Sequence, residues 1–214
     1  MSKNNYKINI INNPKNLRLE TKKGEKSIQI VCLHYKDKKQ RVMIDLDIAQ
    51  GSQVYLIILV YLKGCSYIDL ITVQKHKQRQ GFSDLLCKAV LADQSQFVFK
   101  GMICIDRNGA NSHAYQRNDN LLLNSGVSAI SEPQLEIKAN EVFCTHGATT
   151  TYLNSEQQFY LQSRGLTKKK VNQLLIKGFL QAALDKLLMI GVDLKELKVL
   201  NQKLCQTLKI NEKL

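Results

Sequence analysis

Between residues 27 and 139 the chain alternates short apolar runs with turn-forming clusters. The runs fall at 27–33, 41–46, 54–62, 67–73, 85–91, 97–105 and 134–139 and are rich in Val, Ile, Leu and aromatic residues. Gly81, Asn108-Gly109 and Asn124-Ser125-Gly126 punctuate them. No stretch of helical period stands between the runs, so the pattern predicts an all-β body. A sandwich and a stack of β-solenoid coils both fit that spacing, and no exact internal repeat chooses between them. Residues 134–139 alternate strictly, with Leu135, Ile137 and Ala139 on one side and Gln134, Glu136 and Lys138 on the other. That alternation predicts one buried face and one wet face.

After Thr151 the period changes. Ser155 followed by Gln158 has the form of a capping box, and the helix it opens should run to about Arg164 and stop at Gly165. Thr167 can cap a second helix, in which Val171, Leu174, Leu175, Phe179, Ala182, Ala183, Leu187 and Leu188 recur at three- and four-residue steps until Gly191. Asp193 with Glu196 opens a third, with Leu194, Leu197, Leu200, Leu204 and Leu208 on one stripe. The predicted organisation is a polar N-terminal segment over 1–26, a β core over 27–151 and a small helical domain over 152–214. Three short helices bury little by themselves. They are expected to pack on the end of the β body or on another chain. Leu174, Leu175, Phe179, Leu187, Leu197, Leu200 and Leu204 are the candidates for meeting a partner.

Composition narrows the setting. The longest uninterrupted apolar run is the nine residues from Val54 to Leu62, against roughly 20 for a membrane-spanning helix. Residues 1–16 are polar and lack a signal-type apolar stretch. The six cysteines include no CxxC pair, which speaks against a disulfide-built or zinc-ribbon fold and for buried thiols in a reducing compartment. The expected location is the cytoplasm or the stroma-like compartment of a plastid.

The net charge is +13, from 31 Lys and Arg against 18 Asp and Glu. Residues 1–80 and 151–214 carry the surplus, and 81–150 are slightly acidic. Such a charge invites nucleic acid or an anionic surface. Aromatic residues are only 7%, Trp is absent and no recognition motif is present, so nucleic acid is not the favoured partner.

Nucleotide-binding, Rossmann, serine-hydrolase and zincin motifs are all absent. No enzyme activity is expected. His34, His76 and His113 are scattered, and His34 and His76 read as surface residues. Cys144-Thr145-His146-Gly147-Ala148-Thr149 stands apart from them. A thiol and an imidazole two residues apart on an extended strand share a face. Both are ligands for iron and zinc, although an isolated pair of this kind also occurs as a buried Cys beside a hydrogen-bonded His.

The surroundings add to that pair. Tyr115-Gln116-Arg117-Asn118-Asp119-Asn120, Pro133-Gln134-Leu135-Glu136-Ile137, the Cys-Thr-His-Gly-Ala-Thr segment, Phe159-Tyr160-Leu161-Gln162-Ser163-Arg164-Gly165-Leu166 and Gly178-Phe179 follow one another in order. Together they resemble the SufB/SufD family of iron–sulfur cluster assembly scaffolds, and the SufD branch more than SufB. SufB-like chains carry a Glu after the corresponding His and a cysteine upstream, where this chain has 124–129 without one.

The resemblance implies a right-handed parallel β-helix core followed by a C-terminal helical domain. It implies a SufB-like partner subunit and a SufC-like ATPase docked on the helices. His146 matches the family position at the subunit interface where a transient cluster forms, and Cys144 is a weaker candidate ligand. No cluster is expected to be held tightly by the lone chain. SufD chains are typically much longer and begin with a helical region, so this sequence reads as a shortened form. Two other readings remain: an adaptor that keeps partner docking without handling a cluster, and a basic nucleic-acid-binding β-protein.

Overall fold

A computed structural model describes residues 6–207. Leu208, expected on the third helix, lies outside them. Eleven strands come first: β1 (Tyr6–Asn12), β2 (Asn16–Glu20), β3 (Lys26–Lys36), β4 (Lys39–Ile48), β5 (Gln53–Lys63), β6 (Tyr67–His76), β7 (Phe82–Leu91), β8 (Gln96–Ile105), β9 (His113–Leu122), β10 (Ser128–Ile137) and β11 (Phe143–Tyr152). Three helices follow: α1 (Ser155–Ser163), α2 (Lys168–Met189) and α3 (Leu194–Thr207). The odd-numbered strands form one sheet in the order β1-β3-β5-β7-β9-β11. The even-numbered strands form the other, β10-β8-β6-β4-β2. Every neighbouring pair is parallel. The chain therefore winds from one sheet to the other and back, which is a β-solenoid and not a sandwich.

The two corners of each coil are built from left-handed backbone. Asn13, Asp37, Gly64 and Asp93 have positive φ at one corner, and Gly24, Gly51, Gln80, Asn111 and Glu141 at the other. Gly and Asn/Asp tolerate that conformation best. Gly64 is obligatory, because a Cβ there would run into the Asp37 carboxylate. Each corner is tied to the next coil. The amides of Gly24, Gly51 and Gln80 donate to the carbonyls of Gln50, Arg79 and Ala110 at 3.0, 3.3 and 3.0 Å. Asp37 Oδ1 accepts from the Cys65 amide at 2.8 Å, and Asp93 Oδ2 from the Gly64 amide at 2.7 Å.

The inner faces of the two sheets enclose the main core, with Val31, Leu33, Leu56, Ile58, Val60 and Leu62 against Val42, Ile44, Leu46, Ile68, Leu70, Phe97 and Phe99. Helices α2 and α3 cover the outer face of the odd-numbered sheet. There Ile28, Ile30, Ile57, Leu59, Leu86 and Val90 meet Ile176, Leu180, Ala183, Leu184, Leu187, Leu197, Leu200 and Leu204. Strands β3 and β5 are thus buried on both faces, which is why their sequences are nearly continuous apolar runs. Polar ties fix the helices: Lys186 Nζ to Asp84 at 2.6 Å, Lys26 Nζ to the Ile190 carbonyl at 3.1 Å and the Tyr6 hydroxyl to Glu196 at 3.2 Å. The helices were expected on the end of the β body or on another chain. They lie along its flank instead, because the flank carries the second apolar face.

The outer face of the even-numbered sheet is wet and laced with opposite charges across neighbouring strands. Arg18 and Lys77 flank Asp47, Lys75 meets Asp45, and Arg41 and Lys100 flank Asp69.

Several expectations change. Residues 1–26, read as a polar segment, contribute β1 and β2, whose Ile11, Leu17 and Leu19 pack on the core. Strand β9 has no apolar run, since its inner positions are Gln116, Asn118 and Asn120. Asn154, not Ser155, caps α1, its Oδ1 accepting from the Gln157 amide at 2.8 Å. Thr167 caps α2 and Gly165 and Gly191 take positive φ, as expected. Cys32 and Cys87 are buried, but Cys65 is exposed at a corner.

His76, read as a surface residue, has no exposed area. It ends β6 pointing inward, with Nε2 2.7 Å from the Ser83 hydroxyl and Nδ1 buried without a partner. Burial lowers its pKa to about 4. The folded protein therefore refuses a proton that the unfolded chain takes up near pH 6.5. Stability is full above that pH and falls as the pH drops from 6.5 toward 4, by up to about 3 kcal/mol. Urea unfolding at pH 7 and pH 4.5 should show this loss, and His76→Gln should flatten it. An unchanged slope in His76→Gln would assign the acid sensitivity to other groups.

Candidate functional site

The solenoid ends on β10 and β11. Each is the last strand of its sheet and has a neighbour on one side only. An unpaired parallel edge presents a row of free backbone donors and acceptors, which proteins ordinarily cover. Here the edge also carries apolar side chains: Leu135 and Ile137 on β10, and Phe143 and Tyr152 on β11, with Phe143 62% and Tyr152 55% exposed. Leu135 and Ile137 were expected to be buried by their alternation. They do face inward, in register with Ile103 and Ile105, but no further coil among the described residues covers them. Of the three only Ala139, just past the strand, is buried.

Cys144 and His146 stand on β11. Their register partners on β9 are Ala114 and Gln116, so both share the inner face, as their spacing predicted. They differ in environment. Cys144 is half-buried and packs against the cluster of Ile103, Ile105, Ala114 and Ala139. Burial pushes its thiol pKa up, which disfavours the thiolate that a metal or sulfur species needs. His146 is exposed at the open edge. Gly147 follows it, and a Cβ added there would meet nothing within 4 Å. The chain itself leaves that space open, as a strand glycine does where another backbone approaches closely.

The inner face behind this edge is polar. Asn118 and Asn120 exchange side-chain hydrogen bonds at 3.2 and 3.0 Å. Asn120 Nδ2 also donates to Ser131 at 3.2 Å and to Thr150 on β11 at 3.1 Å. Gln116 Nε2 donates to the Gly101 carbonyl at 3.1 Å. Buried amides that are paired this way cost little and fix a single arrangement. In the sequence this face is written as Tyr115-Gln116-Arg117-Asn118-Asp119-Asn120. The signal was the polar alternation itself, with Gln116, Asn118 and Asn120 inward and Tyr115, Arg117 and Asp119 outward.

Among the described residues no group of three or more His, Cys, Asp or Glu side chains lies together as a metal site would need. No helix of the described residues is long and apolar enough to cross a membrane.

The partner-docking candidates separate. Leu187, Leu197, Leu200 and Leu204 are buried against the odd-numbered sheet. They are not open to a partner, because the flank of this chain uses them. Leu175 is half-buried, and Phe179 lies half-buried over Lys88, whose Nζ is 4.1 Å from the ring centroid. Leu174 is exposed. Helix α1 buries none of its residues and exposes Phe159 and Tyr160.

A parallel β-solenoid whose last coil is open among the described residues, with an exposed histidine on its edge strand and a helical flank, defines this chain as a β-solenoid core domain. The chain belongs to the SufBD core family of the SUF iron–sulfur cluster assembly system, whose family model matches residues 13–179. It is similar to an iron-sulfur cluster assembly SufBD family protein of Synechocystis sp., 30% identical over 138 residues, which are 64% of this chain and 30% of that protein. It is similar to the iron-sulfur cluster assembly protein SufD of Escherichia coli, 34% identical over 111 residues, 52% of this chain and 26% of that one. The chloroplastic protein ABCI7 of Arabidopsis thaliana is 33% identical over 108 residues, 50% of this chain and 23% of its own. The matched stretch is less than a third of each of these relatives.

Leu187→Ala should cost about 2–5 kcal/mol, the range for truncating a fully buried leucine. Chemical denaturation checks this. A loss below about 1 kcal/mol would mean that α2 is not held by this contact.

Proposed function

We propose that the chain is a non-enzymatic scaffold subunit for iron–sulfur cluster assembly, paired through its open solenoid end with a SufB-like subunit. The observation that carries this reading is the exposed His146 on the last strand, paired on one side only, beside an open Gly147. A partner strand added to β11 would satisfy the free backbone groups and cover Phe143 and Tyr152. It would also bring the partner's side chains opposite His146. A cluster assembled there is the cargo of the complex. One imidazole cannot hold it, and thiolate ligands are the usual requirement, so the remaining ligands belong to the partner. Cys144, with its raised pKa, is the lesser donor.

The sequence carries no phosphate-binding loop, so energy for opening or loading such a seam would come from an ATPase of the SufC type. The surface offered to it is the α1–α2 corner, with Phe159 and Tyr160 exposed, Leu174 nearby in sequence and Arg164 and Lys168-Lys169-Lys170 supplying positive charge. This shifts the docking surface from the buried leucines to the exposed aromatic helix. Of the two expected locations, the plastid accords with the chloroplastic relative.

Anaerobic reconstitution with iron and sulfide, with a SufB-like partner present, tests the reading. His146→Ala should leave thermal stability within about 1 kcal/mol, since an exposed side chain contributes little packing, and should sharply reduce cluster absorbance in the complex. Full cluster assembly by the variant would sink the ligand role and leave an adaptor. Gly147→Val should likewise leave the isolated chain folded. Analytical ultracentrifugation should then show weakened pairing, whereas undiminished pairing would move the interface away from β11.

A further inference from the structure

Among the described ion pairs, Lys88–Asp119 alone has both side chains buried, at 8% and 6% exposure. A buried pair is weak support for stability, since apolar side chains of the same size often do as well. Its position gives it another use. Asp119 Oδ2 accepts from Lys88 Nζ at 3.1 Å. Asp119 Oδ1 accepts from Arg117 Nε at 2.9 Å and from the Thr149 hydroxyl at 2.7 Å. Burial by itself would raise the Asp119 pKa, but the donors from Arg117, Thr149 and Lys88 outweigh it and hold the carboxyl below its usual range. Lys88, Asp119 and Thr149 lie in one row across β7, β9 and β11. The opposite side of Lys88 is roofed by the Phe179 ring of α2. One carboxylate is thus where the helical flank and the edge strand meet.

We propose that Phe179, Lys88 and Asp119 are positioning residues that transmit the seating of helix α2 to β11, the strand that carries His146. Thr149 is three residues beyond His146. While Phe179 covers Lys88, water is kept from the pair and its hydrogen bonds are strong. If α2 lifts, Lys88 is hydrated, Asp119 is shared with water and the Thr149 rung weakens. The inner rung from Thr150 to Asn120 does not involve α2, so the strand loosens on its outer face first. The use of this coupling, helix docking felt at the cluster edge, rests on the proposed scaffold reading. The coupling itself does not.

Amide hydrogen exchange on the full chain, without partner or cluster, tests it. Phe179→Leu keeps the apolar cover and removes the ring. It should speed exchange in 143–152 by at least about twofold, the low end for groups in one ion-pair network, with β3 and β5 unchanged. In a Lys88→Met background the same Phe179→Leu change should add nothing. If Lys88→Met does not fold, Thr149→Val on the exposed edge serves as the background, with the same expectation. No acceleration in Phe179→Leu, or equal acceleration with and without the relay, overturns the proposal. A failed cluster assay would leave this result standing, and a failed exchange result would leave the scaffold reading standing.

Discussion

Coil-on-coil hydrogen bonding is the constraint from which the rest of this structure follows. A solenoid coil has no partner of its own and must present its backbone to the coil above and the coil below in the same register. That is possible only if the chain turns back at the same two places every time. The left-handed corners at Gly24, Gly51, Gln80, Asn111 and Glu141, and at Asn13, Asp37, Gly64 and Asp93, meet that demand. Buried Ser52, Ser66, Ser95 and Ser112 sit just after corner residues, and Ser52 and Ser66 donate back to the carbonyls of Ala49 and Lys63 at 2.8 Å each. The same constraint produces the candidate edge, because the last described strand of each sheet is paired on one side only.

The fold was legible where burial is two-sided. Strands β3 and β5 stand out because core and helices enclose both of their faces, and the helical stripes of α2 and α3 are the other half of that contact. The choice of a solenoid over a sandwich was not legible from periodicity. The repeat lies in backbone conformation, and Gly, Asp, Asn, Gln and Glu all serve at the corners, so no residue type recurs. Family motifs, not spacing, pointed to it. Strand β9 escaped detection because its inner positions are amides that pair with one another, and β2 because it is five residues long.

The candidate site was legible in part. Cys144 and His146 share a face because strand geometry alone requires it. Which of the two is accessible depends on where the stack stops, and that is a property of the whole chain. The burial of His76 has the same origin. Its lysine-rich neighbours in sequence say surface, but β6 ends with its inner position under the corner between β6 and β7. The leucines of α2 and α3 look like a partner surface in sequence because a stripe does not say whose surface fills it.

The charge ladder on the even-numbered sheet has an electrical consequence. On that face Arg18, Arg41, Lys75, Lys77 and Lys100 stand against Glu20, Asp45, Asp47 and Asp69, so its paired groups leave a single surplus positive charge. The helices over the opposite sheet are not balanced: residues 151–207 hold nine Lys and Arg against four Asp and Glu. The helical flank therefore carries a larger surplus of positive charge than the ladder face does. At low ionic strength an anionic body will be drawn more strongly to the helical flank than to the ladder face.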